Sequence, residues 1–144
     1  MADIERVITV ATPIEKVWPY LSDFTTTEEW DPPTVRTTRT SGDGGVGTTY
    51  LNVSKILGTE QEVRYRVTRY DEYAAFELEG DAGSVRLHDT ITFATTPEGG
   101  TEVTYHAEFR PTGVAKLVGP LLPAPLKILA DRVAASLEDR LARL

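Results

Sequence analysis

Between Val35 and Pro111 the chain alternates apolar and polar residues in runs separated by turn residues at hairpin spacing. This pattern limits the possible folds more than any other feature of the sequence. Val63, Tyr65 and Val67 alternate with Arg64, Arg66 and Thr68. Val85, Leu87, Ile91 and Phe93 alternate with Arg86, His88, Thr90 and Thr92, and Val103, Tyr105, Ala107 and Phe109 with Thr104, His106 and Glu108. A period of two puts alternate side chains on one face, so each run reads as a strand with one apolar side. Turn material at Ser41–Gly47, Leu57–Thr59, Asp71-Glu72, Gly80–Ser84 and Pro97–Gly100 divides the region into six predicted strands: Val35–Thr40, Thr48–Ile56, Glu60–Tyr70, Ala74–Glu79, Val85–Thr95 and Thr101–Arg110. The β-branched segment Ile4–Ala11 adds a seventh. Antiparallel strands with one apolar face form a sheet that must be covered on that face.

The C-terminus supplies the cover. Leu126, Leu129, Ala130, Val133, Ala134, Leu137 and Leu141 recur at helical spacing, which predicts an amphipathic helix of about five turns. Two short helices are predicted after the first strand. One follows Thr12-Pro13, read as a cap with proline at the first helical position, carries Ile14, Val17 and Leu21 on one face, and is bent or shortened by Pro19. The other is capped at Ser22-Asp23 and stopped after Trp30 by Asp31-Pro32-Pro33. The segment Pro111–Pro125 is apolar but broken by prolines, and Leu117–Pro125 within it reads as a lid or as a surface that docks a partner. The predicted fold is α+β, a curved sheet of seven antiparallel strands around a long C-terminal helix. Side chains facing the wedge between sheet and helix need not fill it, which leaves room for a ligand.

Length and composition then exclude whole classes of function. At about 150 residues per domain, 144 residues predict one domain over residues 1–144. The 22 acidic residues outweigh 15 basic ones to give a net charge of -7, which argues against a nucleic-acid partner. No apolar run approaches the roughly 20 residues of a membrane span, and the N-terminus carries no signal-peptide pattern. The absence of cysteine excludes disulfides and thiolate chemistry and fits a cytoplasmic location.

The N-terminal strand leading into TPIEKVWPYLSDF, the TEEWDPP after it, GGVGTTY, VRYRVTRYDE, PEGGTEVTYHAEF and the terminal amphipathic helix occur in an order that resembles the START-like, or SRPBCC, helix-grip superfamily in its polyketide cyclase/dehydrase-like branch. The resemblance covers essentially the whole chain. It implies a hydrophobic cavity roofed by the last helix, in a fold that hosts lipid carriers, hormone binders, aromatase/cyclases and co-chaperone modules. It supplies no catalytic signature that matches residue by residue.

Asp89 is the acidic residue that the pattern places inside, in phase with Val85, Leu87, Ile91 and Phe93. If the last two strands pair with residues 91 and 105 opposite, Asp89 faces the small Ala107 with Tyr105 and Phe109 diagonal to it. A carboxyl there has a raised pKa unless a charge pairs with it. It serves as a general acid or base, as an anchor for a ligand hydroxyl, or as a structural carboxylate bonded to backbone or tyrosine. Arg69 continues the inward phase of Val63, Tyr65 and Val67 but lies at a strand end, where its guanidinium is solvated. His88 and His106 have outward parity, so neither a metal site nor a histidine base is expected in the interior. The glycines of Gly42–Gly47 lack the lysine of a phosphate-binding loop and read as a hairpin loop at a cavity mouth, together with Gly80–Ser84.

The expected ligand is a small hydrophobic molecule, lipid-like or polycyclic, held without cofactor or metal by a monomer or weak dimer. The expected lining is Trp18, Trp30, Leu51, Val53, Tyr65, Val67, Phe76, Leu78, Leu87, Asp89, Ile91 and Tyr105 from the first helices and the sheet, with Leu122, Leu126, Leu129 and Val133 from the last helix and its approach. The enzyme alternative is a polyketide cyclase or dehydratase in which Asp89 or Tyr105 moves a proton. A third reading is a partner-binding module.

Overall fold

A computed structural model describes residues 2–56, 58–112 and 123–144. Strand β1 (Ala2–Val10) is followed by helix α1 (Ile14–Leu21), a single 3-10 turn (Phe24–Thr26) and helix α2 (Thr27–Trp30). Six strands follow: β2 (Thr34–Ser41), β3 (Thr49–Ile56), β4 (Thr59–Asp71), β5 (Ala75–Asp81), β6 (Val85–Thr95) and β7 (Thr101–Pro111). Helix α3 (Pro123–Ala142) closes the chain.

The seven strands form one antiparallel sheet in the order β1-β7-β6-β5-β4-β3-β2. Five neighbouring pairs are joined through local turns, while β1 and β2, adjacent in sequence, are the two edges. Residues 11–33 therefore cross from one edge to the other, which is possible because the sheet curves. Register shifts in β2 and between Val67 and Arg69 in β4 mark where extra residues bend the strands. Helix α3 lies on the inner face of the curve, with Ala130, Val133, Leu137 and Leu141 buried in the core. This is the helix-grip architecture that the alternation and the terminal amphipathic stripe predict.

The C-terminal end of α3 is tied to the sheet through Thr12 and Thr101. Thr12, expected to cap α1, does something else: α1 starts at Ile14 without a side-chain cap, and Thr12 Oγ1 donates to Leu141 O at 2.6 Å. Thr101 Oγ1 in turn donates to Thr12 O at 2.7 Å, and both threonines are buried. Thr12 thus adds a short side-chain bond to a carbonyl at the helix C-terminus that otherwise receives only the long bond from Leu144 N at 3.3 Å. Thr12→Val keeps the shape and removes the donor, so unfolding free energy should fall by about 1–2 kcal/mol in urea titration; an unchanged midpoint would show that the bond contributes nothing. Gly100, at the β6–β7 turn, has no room for a side chain because a Cβ would collide with Val10 O.

Candidate ligand-binding site

The inner face is assembled by register. Ile91 lies opposite Tyr105 and Asp89 opposite Ala107, as the length of the Thr96–Gly100 turn predicts. Across β5, Leu78 lies opposite Asp89 and Phe76 opposite Ile91, while Tyr65 of β4 lies opposite Gly80. Glycine is required at position 80, since a Cβ would come within 2.7 Å of the Tyr65 ring that lies over it. Val67, Phe76, Leu78 and Ile91 are completely buried and form the floor. Phe24 packs on this floor at ring-centroid distances of 4.8 Å from Tyr65, 5.7 Å from Tyr50 and 6.5 Å from Phe76. Trp30 is also buried and meets Tyr105 edge-on at 5.9 Å.

A polar spot sits among these rings. Asp89 is 3% exposed. Tyr105 Oη donates to its Oδ2 at 2.9 Å, while Oδ1 has no hydrogen-bond partner among the described residues. Burial in this apolar surround raises the Asp89 pKa from 3.8 to about 7, and the negative charge of Asp31 adds to the rise. The Tyr105 bond and, more weakly, His88 and His106 act in the opposite direction.

Asp31 is the second inward acid. It follows Trp30 at the end of α2, is half-buried as a residue, and has its pKa raised to about 6 by desolvation of the carboxyl. A chain of hydrogen bonds holds it. Thr34 Oγ1 donates to Asp31 Oδ2 at 2.6 Å, Asn52 Nδ2 donates to Thr34 Oγ1 at 3.1 Å and to Thr37 Oγ1 at 2.8 Å, and Ser54 Oγ donates to Asn52 Oδ1 at 2.7 Å. Thr27 donates to Phe24 O, so the Thr37 hydroxyl must be the donor in its 2.6 Å contact with Thr27. Asn52 is 4% exposed and has both amide protons and its oxygen engaged, which makes it a rigid support for Thr34 and Asp31. Burial, then the charges of Asp89 and Asp31, push the phenols of Tyr65 and Tyr105 well above their ordinary value, so both stay protonated as donors.

The expected lining residues divide into five groups. Tyr65, Val67, Phe76, Leu78, Asp89, Ile91 and Tyr105 share the inner face with Trp30, and Leu87 is half-buried beside them. From α3, Val133 is buried in the core, while Leu129 and Leu126 keep partial exposure. Leu122, and Leu117 to Leu122 of the proposed lid, lie outside the described residues.

Leu51 and Val53 require a correction: Leu51 pairs with Arg64 and Val53 with Glu62, on the outer face. The residues that β3 turns inward are Tyr50, Asn52 and Ser54, because Tyr50 lies opposite Tyr65 and Asn52 opposite Val63. The Arg69 guanidinium is solvated, as expected, but its inward phase is corrected. The irregularity between Val67 and Arg69 reverses the phase, so Arg69 faces outward opposite Glu77 and bonds Asp71 and Glu77 in a half-exposed setting.

Trp18 is buried but stands apart from Asp89. It packs at 5.0 Å on Phe93, four residues along β6 from Asp89, which is about 13 Å of strand. Tyr70 at 5.2 Å and Tyr73 at 6.4 Å complete its surround. There it borders a separate open cleft of about 350 Å³, whose lining includes Arg39, Tyr50 and Tyr70, with Asp43 and Gly44 of the glycine loop at its edge. The other expected mouth loop, at Gly83 and Ser84, is tied to Thr112 by two hydrogen bonds. On the outer face His88 bonds Glu77 at 3.0 Å and His106 bonds Asp3 at 3.1 Å.

The sequence reading missed Asp31, Thr34, Asn52, Tyr50 and Phe24. Only Tyr50 and Asn52 carried a usable signal, since pairing β3 with β4 in register would have placed them opposite Tyr65 and Val63.

An antiparallel sheet gripping a long terminal helix, with a few polar groups set in an aromatic interior, defines a fold built to hold hydrophobic ligands. The chain belongs to the polyketide cyclase/dehydrase and lipid transport family, whose model matches residues 1–143. No curated protein matches it by sequence. Among solved structures it is similar to a START superfamily protein from Mycobacterium smegmatis (TM-score 0.77, 13% identity, covering 98% of this chain and 97% of that one). It is also similar to the Zhui aromatase/cyclase from Streptomyces sp. R1128 (TM-score 0.76, 17% identity, 98% and 91%). Ara h 8.0201 shares the fold at a TM-score of 0.72 and 16% identity, covering 99% of each chain. Among the described residues no helix is long and apolar enough to cross a membrane.

Proposed function

We propose that the chain binds or carries a small hydrophobic molecule between the inner sheet face and α3, with its polar end at Asp89, Tyr105 and Asp31. One observation carries this reading: among the described residues Asp89 Oδ1 is buried and unpartnered on the inner face, where an unsatisfied carboxyl oxygen costs free energy until a donor reaches it. The half-buried state of the inward Leu87, Tyr105 and Leu129 supports it, since filled cores leave such side chains no surface. Family membership supports the ligand class. Native mass spectrometry of freshly expressed protein should detect a co-purified hydrophobic molecule, or a Nile red probe should bind with blue-shifted emission. Failure of both would overturn the reading.

The second reading is a cyclase or dehydratase acting on a polyketide-like chain, and the Asp31–Asp89 pair favours it. Two acids raised to about 6 and about 7 are poised to give and take protons near neutral pH. Asp89→Asn should then abolish turnover of a polyketide-like substrate while binding is retained; a variant that turns over normally would remove Asp89 from the chemistry.

A further inference from the structure

The two acids of the inner face have no cationic partner among the described residues. Among the described residues Asp89 and Asp31 each accept one hydrogen bond, from Tyr105 and Thr34, and Asp89 Oδ1 accepts none. No lysine or arginine acts on either carboxyl among the described residues. The charged groups acting on Asp89 are Asp31, which opposes its ionisation, and the outer-face His88 and His106.

The elements packed around the site contribute no cation that pairs with either acid. Strand β5 presents Leu78 opposite Asp89, β7 presents Ala107 and Tyr105, and β4 presents the Tyr65 phenol. Helix α3 presents the apolar Leu129, Val133 and Ala134. The inner-face cation of β1, Arg6, lies opposite Tyr105 but is turned to the rim, where its Nε donates to Asp131 Oδ1 of α3 at 2.9 Å.

We infer that the ligand class is a hydrophobic amine, whose protonated nitrogen sits on Asp89 Oδ1 and neutralises the Asp31–Asp89 pair while its apolar body lies on the aromatic floor. A neutral hydroxyl satisfies the open oxygen but leaves the buried Asp89 carboxylate without a counter-charge, with the negative charge of Asp31 opposing its ionisation. An ammonium group supplies the donors and removes the repulsion together. A carboxylate-bearing ligand adds a third negative charge. The chain's net charge of -7 acts in the same direction, since it attracts cations from solution. The inference rests on the binding reading above and specifies its ligand.

The test compares decylamine, decanol and decanoate by isothermal titration calorimetry on the full chain, below their solubility and micelle limits. Decylamine should bind about tenfold or more tightly than decanol at about pH 7.5, the difference between a charge-assisted and a neutral hydrogen bond, and decanoate should bind weakest. Decylamine affinity should rise between about pH 5.5 and 7.5 as the two acids ionise, while decanol affinity should not rise. The Tyr65 and Tyr105 phenols remain protonated throughout.

Asp89→Asn and Asp31→Asn should each reduce the amine-to-alcohol ratio, with circular dichroism and the decanol affinity confirming that fold and cavity persist. If decanol or decanoate binds as tightly as decylamine, the amine assignment is overturned and the binding reading survives. If none of the three binds and Nile red also fails, the binding reading falls with it. A ratio unchanged in both variants would place the amine elsewhere and overturn the assignment.

Discussion

Raising the pH from about 5 to about 8 is expected to destabilise the unliganded protein by roughly 2–3 kcal/mol through Asp89 alone, with Asp31 adding to the loss. The folded state holds the Asp89 proton up to about pH 7, whereas the unfolded chain releases it near 3.8. Between these values the folded state binds more protons, so this contribution to stability is complete below about 3.8 and is lost as pH rises through about 7. Asp31 acts with the same sign up to about pH 6. The direction is opposite to ordinary acid denaturation, in which carboxylates paired in the native state must be protonated.

Asp89→Asn keeps an acceptor for Tyr105 and removes the ionisable charge. It should flatten most of this slope and leave the variant more stable than the natural chain above about pH 7. Urea titrations at several pH values measure this directly. A natural chain whose stability rises steadily from pH 5 to 8, with Asp89→Asn running parallel to it, would show that Asp89 ionises freely in the folded state. A ligand that pairs with the carboxylates should suppress the slope in the same way, which links this experiment to the amine series.

Trp30→Ala is the second large effect. The indole is 1% exposed, packs edge-on against Tyr105, and donates from Nε1 to Thr26 Oγ1 at 3.2 Å. Truncation removes the side chain that joins α2 to the interior and leaves a cavity beside the polar spot. A loss of about 3–5 kcal/mol in unfolding free energy is expected, as for large buried aromatics elsewhere. Trp30→Phe should recover most of it, since the phenyl ring keeps the contact with Tyr105 and loses only the bond to Thr26. A loss below about 1 kcal/mol for the alanine variant would mean that the surrounding side chains collapse into the space. The two substitutions also separate structure from binding: Trp30→Ala should impair both, whereas Asp89→Asn should impair recognition while raising stability at alkaline pH.

The interior is readable from sequence where strands are long and their turns short. The Thr96–Gly100 turn leaves one register for β6 and β7 that keeps the apolar faces together, and that register places Asp89 beside Ala107 and within reach of Tyr105. On β3 the alternation is ambiguous, because Tyr50, Asn52 and Ser54 compete with Leu51 and Val53 for the inner face. Apolarity favours the second set, and pairing with β4 selects the first, where Asn52 and Ser54 become tolerable by satisfying one another and Thr34. Arg69 is misplaced for a related reason: one irregular step in β4 reverses the parity, and no residue pattern announces it.

Periodicity and turn chemistry, being local, are enough to specify seven strands, their antiparallel order of pairing through hairpins, and the helix that covers them. They also suffice to turn one carboxyl, Asp89, inward. That a second acid joins it is a tertiary fact. Asp31 lies in a non-periodic turn between Trp30 and Pro32, and only the packing of Trp30 on Tyr105 draws that turn to the inner face. Parity can place one side chain on one face of a sheet, but the meeting of two charges from distant segments depends on how those segments pack.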